Sequence, residues 1–382
     1  VKELRVFAKE DDMKFSCEKH LLQAAVAAAS RAASAKSPIS ALEGLLIEAG
    51  SGVRVTGYDL KKGIYMNIEA DVAQPGSAVL MTAKLFSEMM RLLPDGIVTV
   101  EVGDDSRASV RCGQSEYGFM ALPAADYPEL PEVDESEAVR ISQKALRSMI
   151  DESIFAVSTN ESRPVYMGSL FELEGGRLTM VSVDGYRLAI RRESVQGGAE
   201  GLRFIIPGSA LLDVERLCAD SDEEVLLNVG TKHSSFTIGG TVVVSRKLEG
   251  DFLNYKKSLP ENFRYVVKLL REDMLGATDR VSLVVDEKMK SPVRLIFGDG
   301  RIDFFCNTPL GRAGDVCPCE GEGGDTEIGF NDRYLRDALR AAPVKELEVC
   351  INTGSSPCVI RAADGGDEFT YMILPVRLKA GE

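Results

Sequence analysis

Apolar and polar positions along the chain repeat one arrangement three times. An alternating stretch, a few polar residues and then an apolar stretch of helical period appear at Phe15-Ser16-Cys17-Glu18-Lys19-His20-Leu21, again at Val139–Leu146 and again at Val267–Met274. A switch from period two to period 3.6 predicts a strand leading into a helix. The three copies begin at Phe15, Val139 and Val267, roughly 125 residues apart, which is the length of one domain.

A second helix recurs in the same register. Thr82-Ala83-Lys84-Leu85-Phe86 leads to Leu93 and stops at Pro94-Asp95-Gly96, which cannot continue a helix. Its relatives are Gly208–Leu217 and Asn331–Leu339, the latter opening on Asn331, a good N-cap. Between the two helices lie strand pairs with Gly-rich turns, Leu45 to Leu60, Leu170 to Leu188 and Val293 to Asn307, and more strands follow the second helix. The expected fold is therefore α+β: three tandem similar domains, each with two helices packed on antiparallel sheets. If the sheets run on between domains, the helices share one side and line a curved wall. The last apolar stretch, Tyr371–Leu378, contains Pro375, which cannot donate to a ladder, and is expected to end as an edge open to a partner.

Length agrees with this count, since 382 residues suit two to four ordinary domains. No apolar run is long enough for a membrane helix and no secretion signal opens the sequence, so a cytoplasmic protein with no membrane partner is expected. Eight cysteines spread along the chain, several inside apolar strands, read as buried reduced thiols. Cys317-Pro318-Cys319 supplies only half a zinc site and is read as a structural loop; no metal or other cofactor is expected. His20 and His233 are the only histidines, which leaves a histidine triad poorly supplied, and His20 in the first turn of a helix reads as a surface position. The net charge of -14 does not exclude nucleic acid, because only the local field at a binding face meets the phosphates.

Met13-Lys14-Phe15, Leu122-Pro123-Ala124-Ala125-Asp126-Tyr127-Pro128, Val183-Asp184-Gly185-Tyr186-Arg187-Leu188-Ala189 and Leu374-Pro375-Val376-Arg377-Leu378 together resemble the beta subunit of bacterial DNA polymerase III, the sliding-clamp family. The likeness covers Met13 to Leu378 in order. It implies a DNA clamp fold, a head-to-tail ring homodimer around duplex DNA, no base readout and no enzymatic activity. It implies domains at 13–136, 137–261 and 262–382, after an extension at 1–12 that is expected to be poorly ordered. The tail Lys379–Glu382 is also read as mobile.

The resemblance also implies sites. The edge carrying Tyr117 and Phe119 would meet the helix carrying Leu283 and Val284 of a second copy, the alternative being that all four fill cores. Lys36, Lys84, Arg91 and Arg163 would face DNA, and Arg333, Arg336 and Arg340, on one helical face, would add a basic lining. A groove for short linear peptides of the polymerase III alpha subunit, the clamp loader and repair proteins would comprise Tyr166, Val183, Gly185, Tyr186, Arg187, Leu188, Leu253, Lys257, Ser258, Tyr334, Met372, Leu374, Val376 and Arg377. In it Met372 would adapt its shape while Arg or backbone groups orient a polar residue. Three positions depart from the family pattern: Tyr186 stands where His is common, Leu253 where Pro is common, and Tyr166 replaces a smaller apolar residue. These bulky changes are expected to reshape the subpockets.

Two other readings remain open at this point. One is a metal-dependent hydrolase using Asp59, Asp126 and Asp184, although Asp59 and Asp184 occupy equivalent points of separate repeats and so do not converge. The other is a clamp paralogue serving antibiotic tolerance or a specialised polymerase.

Overall fold

The computed structural model describes residues 12–103, 106–134, 137–286 and 291–378. The expectations for the extension 1–12, save Asp12, and for the tail Lys379–Glu382 lie outside the described residues. The chain divides into two compact units, one of residues 1–144 and 216–247, the other of residues 145–215 and 248–382.

In the first unit, the strand Met13–Glu18 turns Met13, Phe15 and Cys17 inward and runs without a loop into helix α1, Lys19–Ser30. Alanines on α1 let it lie close to the sheet: a Cβ on Gly57 would stand 2.0 Å from the Ala29 carbonyl oxygen, so only glycine fits there. Helix α2, Ala83–Leu92, is capped by the Thr82 hydroxyl, which accepts from the Leu85 N–H at 3.4 Å, and buries Phe86, Met89 and Met90. An antiparallel sheet carries the core. It includes Leu45–Ala49, Val53–Tyr58 and Lys62–Ile68, and Lys62–Ile68 pairs in turn with Thr241–Arg246, matching Lys62 to Ser245 and Met66 to Thr241. Val139–Ser142, which leads into helix α3 at Gln143–Asp151, extends the same sheet through Glu224–Val229 and His233–Ile238.

The second unit repeats this plan. Gly168–Glu174, Arg177–Val183 and Arg187–Ser194 form a meander, and Arg187–Ser194 pairs with Phe369–Ile373. Helix α4, Gly208–Leu217, follows the meander in sequence, and the short helix α5, Tyr255–Ser258, was not anticipated. Helices α6, Arg271–Ser282, and α7, Asp332–Ala341, cover a core of Phe297, Phe304, Phe330, Phe369 and Tyr371. Asn331 caps α7 as its sequence predicts, its Oδ1 accepting from the N–H groups of Arg333 and Tyr334.

Three expectations are corrected. The segment Val293–Asn307 is not a hairpin but lies in one strand, Val293–Thr308, paired along Gly311–Phe330; Gly298 and Gly300 accommodate register shifts there instead of turning the chain. Cys317-Pro318-Cys319 lies on that partner strand and not in a loop, with Cys317 buried. The C-terminal strand ends at Ile373 and is no edge: it pairs with Arg187–Arg191 on one side and Cys358–Ile360 on the other. Among the described residues, no helix is long and apolar enough to cross a membrane.

Candidate functional site

The segment Val183–Leu188 turns on a single carboxylate. Asp184 Oδ1 accepts from the N–H groups of Tyr186 at 2.9 Å and Arg187 at 3.1 Å, and Gly185 takes φ +94, a conformation that side chains resist. This turn sends Tyr186 outward, 62% exposed, and Arg187 inward, 7% exposed. Arg187 Nε donates to Asp184 Oδ2 at 2.9 Å and a terminal nitrogen donates to Asp337 Oδ2 at 2.6 Å. Its guanidinium also lies 4.5 Å from the Tyr334 ring centre and 5.3 Å from that of Phe155. A buried cation held by two carboxylates and two rings is a fixed support, because breaking such pairing leaves charge without water. It is therefore unavailable to orient a ligand.

Tyr334 continues the stack outward. Its ring lies 6.2 Å from that of Tyr186 at 24°, and burial together with the Asp184 charge raises its hydroxyl pKa. Beneath the turn, Val183, Leu188 and Met372 are buried in one apolar cluster, on which Tyr166, Leu253 and Leu374 pack half-buried. Phe252 holds Tyr166 edge-on at 5.5 Å. Tyr255 in the same cluster donates to Glu172 Oε2 at 2.7 Å, and burial followed by that bond pushes its pKa up. Past the last strand, the Leu374 N–H donates to the Tyr186 carbonyl at 2.8 Å and the Val376 N–H to the Gly329 carbonyl at 2.8 Å. Pro375 falls between these two donors, where no N–H is needed. Lys257 and Ser258 close α5, capped by Asn254, and Lys257 and Arg377 are exposed.

Most of the expected groove residues thus surround one apolar corner of the second unit. The supporting residues Asp337, Phe155 and Phe252 escaped the sequence reading. Phe252 was accessible in principle, since it stands one repeat length after Tyr127 in the motif Leu122–Pro128. Asp337 carries no local signal, because its partner is 150 residues away.

The remaining candidates are placed as follows. Lys36, Lys84 and Arg91 are exposed in the first unit, Arg91 paired with Glu88 at 2.9 Å. Arg163 belongs to the second unit, its guanidinium 5.9 Å from the Tyr166 ring and 4.0 Å from where a Cβ on Gly185 would lie. The arginines of α7 do not form an open basic stripe: Arg333 faces Asp337 at 3.8 Å, Arg340 meets Asp279 at 3.0 Å and Arg336 is bonded to Asp332. Tyr117 and Leu283 are exposed, Leu283 by 83%. Phe119 is 7% exposed, the core placement named above as the alternative: opposite small Ala108 it packs edge-on to Phe86 at 5.8 Å. Val284 packs half-buried on the core of the second unit, and its carbonyl accepts from Thr308.

Of the residues weighed for hydrolysis, Asp59 and Asp184 are each engaged in a turn, and Asp126 is exposed. Asp59 Oδ1 accepts from the N–H groups of Lys61 and Lys62 at 2.9 and 2.7 Å. Among the described residues, no group of three or more His, Cys, Asp and Glu side chains could hold a metal. Burial raises the Cys317 thiol pKa to about 12, and His20 is exposed on α1.

Comparison with known proteins covers nearly the whole chain. Residues 13–131 match the family model of the DNA polymerase III beta subunit N-terminal domain, residues 140–254 that of its central domain and residues 256–377 that of its C-terminal domain. A curated relative, the beta sliding clamp of Staphylococcus epidermidis, is 30% identical over 358 residues, covering 91% of this chain and 94% of its own. Among solved structures, the DNA polymerase sliding clamp from Bacillus subtilis matches with a TM-score of 0.92 at 29% identity, over 96% of this chain and 100% of that one. The Pseudomonas aeruginosa sliding clamp bound to griselimycin matches with a TM-score of 0.90 at 27% identity, over 96% and 100%.

Proposed function

The chain belongs to the bacterial DNA polymerase III beta subunit family, the DNA sliding clamps, and from that premise we propose that two copies close head to tail around duplex DNA and dock partner peptides at the Tyr186–Leu374 corner. Neither the hydrolase nor the specialised-paralogue reading draws support from these relatives.

One observation carries the closed ring: the sheet edges left over in each copy. Within the first unit, Lys62–Ile68 receives a strand from Thr241–Arg246; within the second, Arg187–Ser194 receives one from Phe369–Ile373. The matching strand of the third repeat begins at Gly311, and over Gly311–Pro318 it pairs only with Val293–Thr308 among the described residues. The half-strand Ser115–Met120 likewise pairs only with Arg107–Cys112. Each copy therefore has one strand edge to receive and a different one to offer, and exposed Tyr117, Met120, Leu283, Leu310 and Val316 lie on or beside them. Unlike edges make heterologous contacts, which two copies of a multi-domain chain can close.

DNA contact in such a ring is to phosphates, through Lys36, Lys84, Arg91 and Arg163, with no base readout, so the duplex slides past. The protein has no catalytic step of its own. Its partners are the replicative polymerase, the clamp loader and repair proteins, each presenting a short segment to the apolar corner; the twin sites of a dimer raise the avidity of weak segments.

Retention on DNA tests the ring. Protein loaded by its clamp loader is expected to stay on closed circles at high salt and to leave once they are cut. Equal loss from circular and linear DNA as salt rises would show ordinary electrostatic binding and end the topological reading.

A further inference from the structure

We infer that the first unit carries a segment-binding site of its own, separate from the Tyr186 corner, and that the chain's stretch Pro128–Asp134 occupies it and holds it shut. The stretch reads Pro-Glu-Leu-Pro-Glu-Val-Asp, a period of three with Leu130 and Val133 at one phase and Glu129 and Glu132 at another. Two prolines restrict its backbone, and about three residues per turn is the repeat of an extended polyproline helix. In the fold the stretch is neither helix nor strand; Leu130 and Val133 are half-buried, while Glu129, Glu132 and Asp134 are exposed.

Both apolar side chains sit over glycines. A Cβ on Gly63 would stand 2.0 Å from the Leu130 Cδ1, and one on Gly230 would stand 3.5 Å from the Val133 Cγ1. Gly63 lies at the start of the strand Lys62–Ile68, and the Gly230 N–H donates to the His233 carbonyl at 2.9 Å, so the strap spans two strand ends. Those ends gather cations. Arg246 pairs across the ladder with His233 and donates its N–H to the Lys61 carbonyl, Ser245 pairs with Lys62, and the Lys247 N–H donates to the Lys232 carbonyl. Burial, then Arg246, Lys232 and Lys247, lowers the His233 pKa, the mark of a positive local field. Asp59, whose Oδ1 accepts from the Lys61 and Lys62 N–H groups, is the turn's own carboxylate, and Glu249 stands two residues past Lys247 in sequence. Lys62, Lys247, Glu132 and Asp134 all have partners. An acidic extended segment with an apolar residue at every third position is the ligand that such a site fits, and the chain supplies one itself.

The test uses full-length protein and a fluorescent peptide of sequence Pro-Glu-Leu-Pro-Glu-Val-Asp. Loosening the strap by Leu130→Ala with Val133→Ala should add one bound peptide per chain over the unaltered protein, whose strap competes from within the chain at high effective concentration. Replacing Leu and Val of the peptide by Ser should weaken the added binding about ten-fold or more, as expected for two part-buried apolar side chains. Gly63→Leu in the loosened protein should abolish it by filling the space. Peptide taken up by the unaltered protein belongs to another site and is subtracted, so this inference and the Tyr186 corner stand or fall separately. Should the double change unfold the protein, Val133→Ala alone is the variant to use, and it should gain the same peptide more weakly. A folded loosened variant that gains no peptide, or a gain that survives Gly63→Leu, overturns the inference.

Discussion

The Asp59 turn of the first unit and the Asp184 turn of the second are built alike and end differently. In both, one carboxylate oxygen accepts from the second and third N–H groups after it. In both, the residue after the aspartate has positive φ, +70 at Leu60 and +94 at Gly185. In both, an incoming segment donates to the carbonyl of the second residue after the aspartate, Arg246 to Lys61 and Leu374 to Tyr186, each at 2.8 Å. The side chains then part company. Where the second unit has Leu188, the first has Gly63, and Leu130 fills the vacated space so closely that a Cβ on Gly63 would stand 2.0 Å from its Cδ1. One turn closes a strand junction and fills it from within; the same turn elsewhere carries an outward aromatic on a braced arginine. The two corners thus differ through a few side chains and not through a new backbone.

The comparison breaks most sharply at the position after the turn. Arg187→Ala is expected to cost about 3 kcal/mol or more in denaturant unfolding, since it strands two carboxylates and empties a stacked space. The matching change Lys62→Ala, at a half-buried position where any ion pair is partly solvated, should cost no more than about 1 kcal/mol. Equal costs would mean that the brace is not what distinguishes the two corners. Next in size, Gly63→Leu copies the second unit into the first and should lose about 1–3 kcal/mol through overpacking against Leu130. Adding Leu130→Ala should return part of that loss, and a double mutant no more stable than the single would remove the steric explanation. Gly185→Ala should cost about 1 kcal/mol for its positive φ, whereas Leu60→Gly should shift the melting midpoint little, relief of strain offsetting the looser unfolded chain. Smallest on stability, Tyr186→Ala should stay within about 0.5 kcal/mol by thermal melting and yet weaken peptide capture measurably. Unchanged capture would take Tyr186 out of the site.

The repeat made the element order legible, because alternation, helical period and caps such as Thr82 and Asn331 are local signals. The motif Val183–Ala189 is likewise a local signal, and its Asp-Gly pair marks the turn that the structure shows. What the sequence hid was set by partners far along the chain. Phe119 and Tyr117 look equivalent in a strand pattern, and only Ala108 opposite explains why one sinks into the core. The arginines of α7 look like a basic stripe until Asp279, on another helix, is brought against Arg340. The glycines of Val293–Asn307 serve equally for a hairpin turn and for a bulge, and the choice depends on the pairing of the opposite strand.

The segment after Ile373 is fixed by two main-chain bonds, from Leu374 and Val376, with Pro375 between them. Nothing in that anchoring depends on which side chains the segment carries. The identities at positions 374 and 376 can therefore change without removing those two bonds, and what a change at 374 alters is the side-chain packing on the apolar cluster beneath the turn.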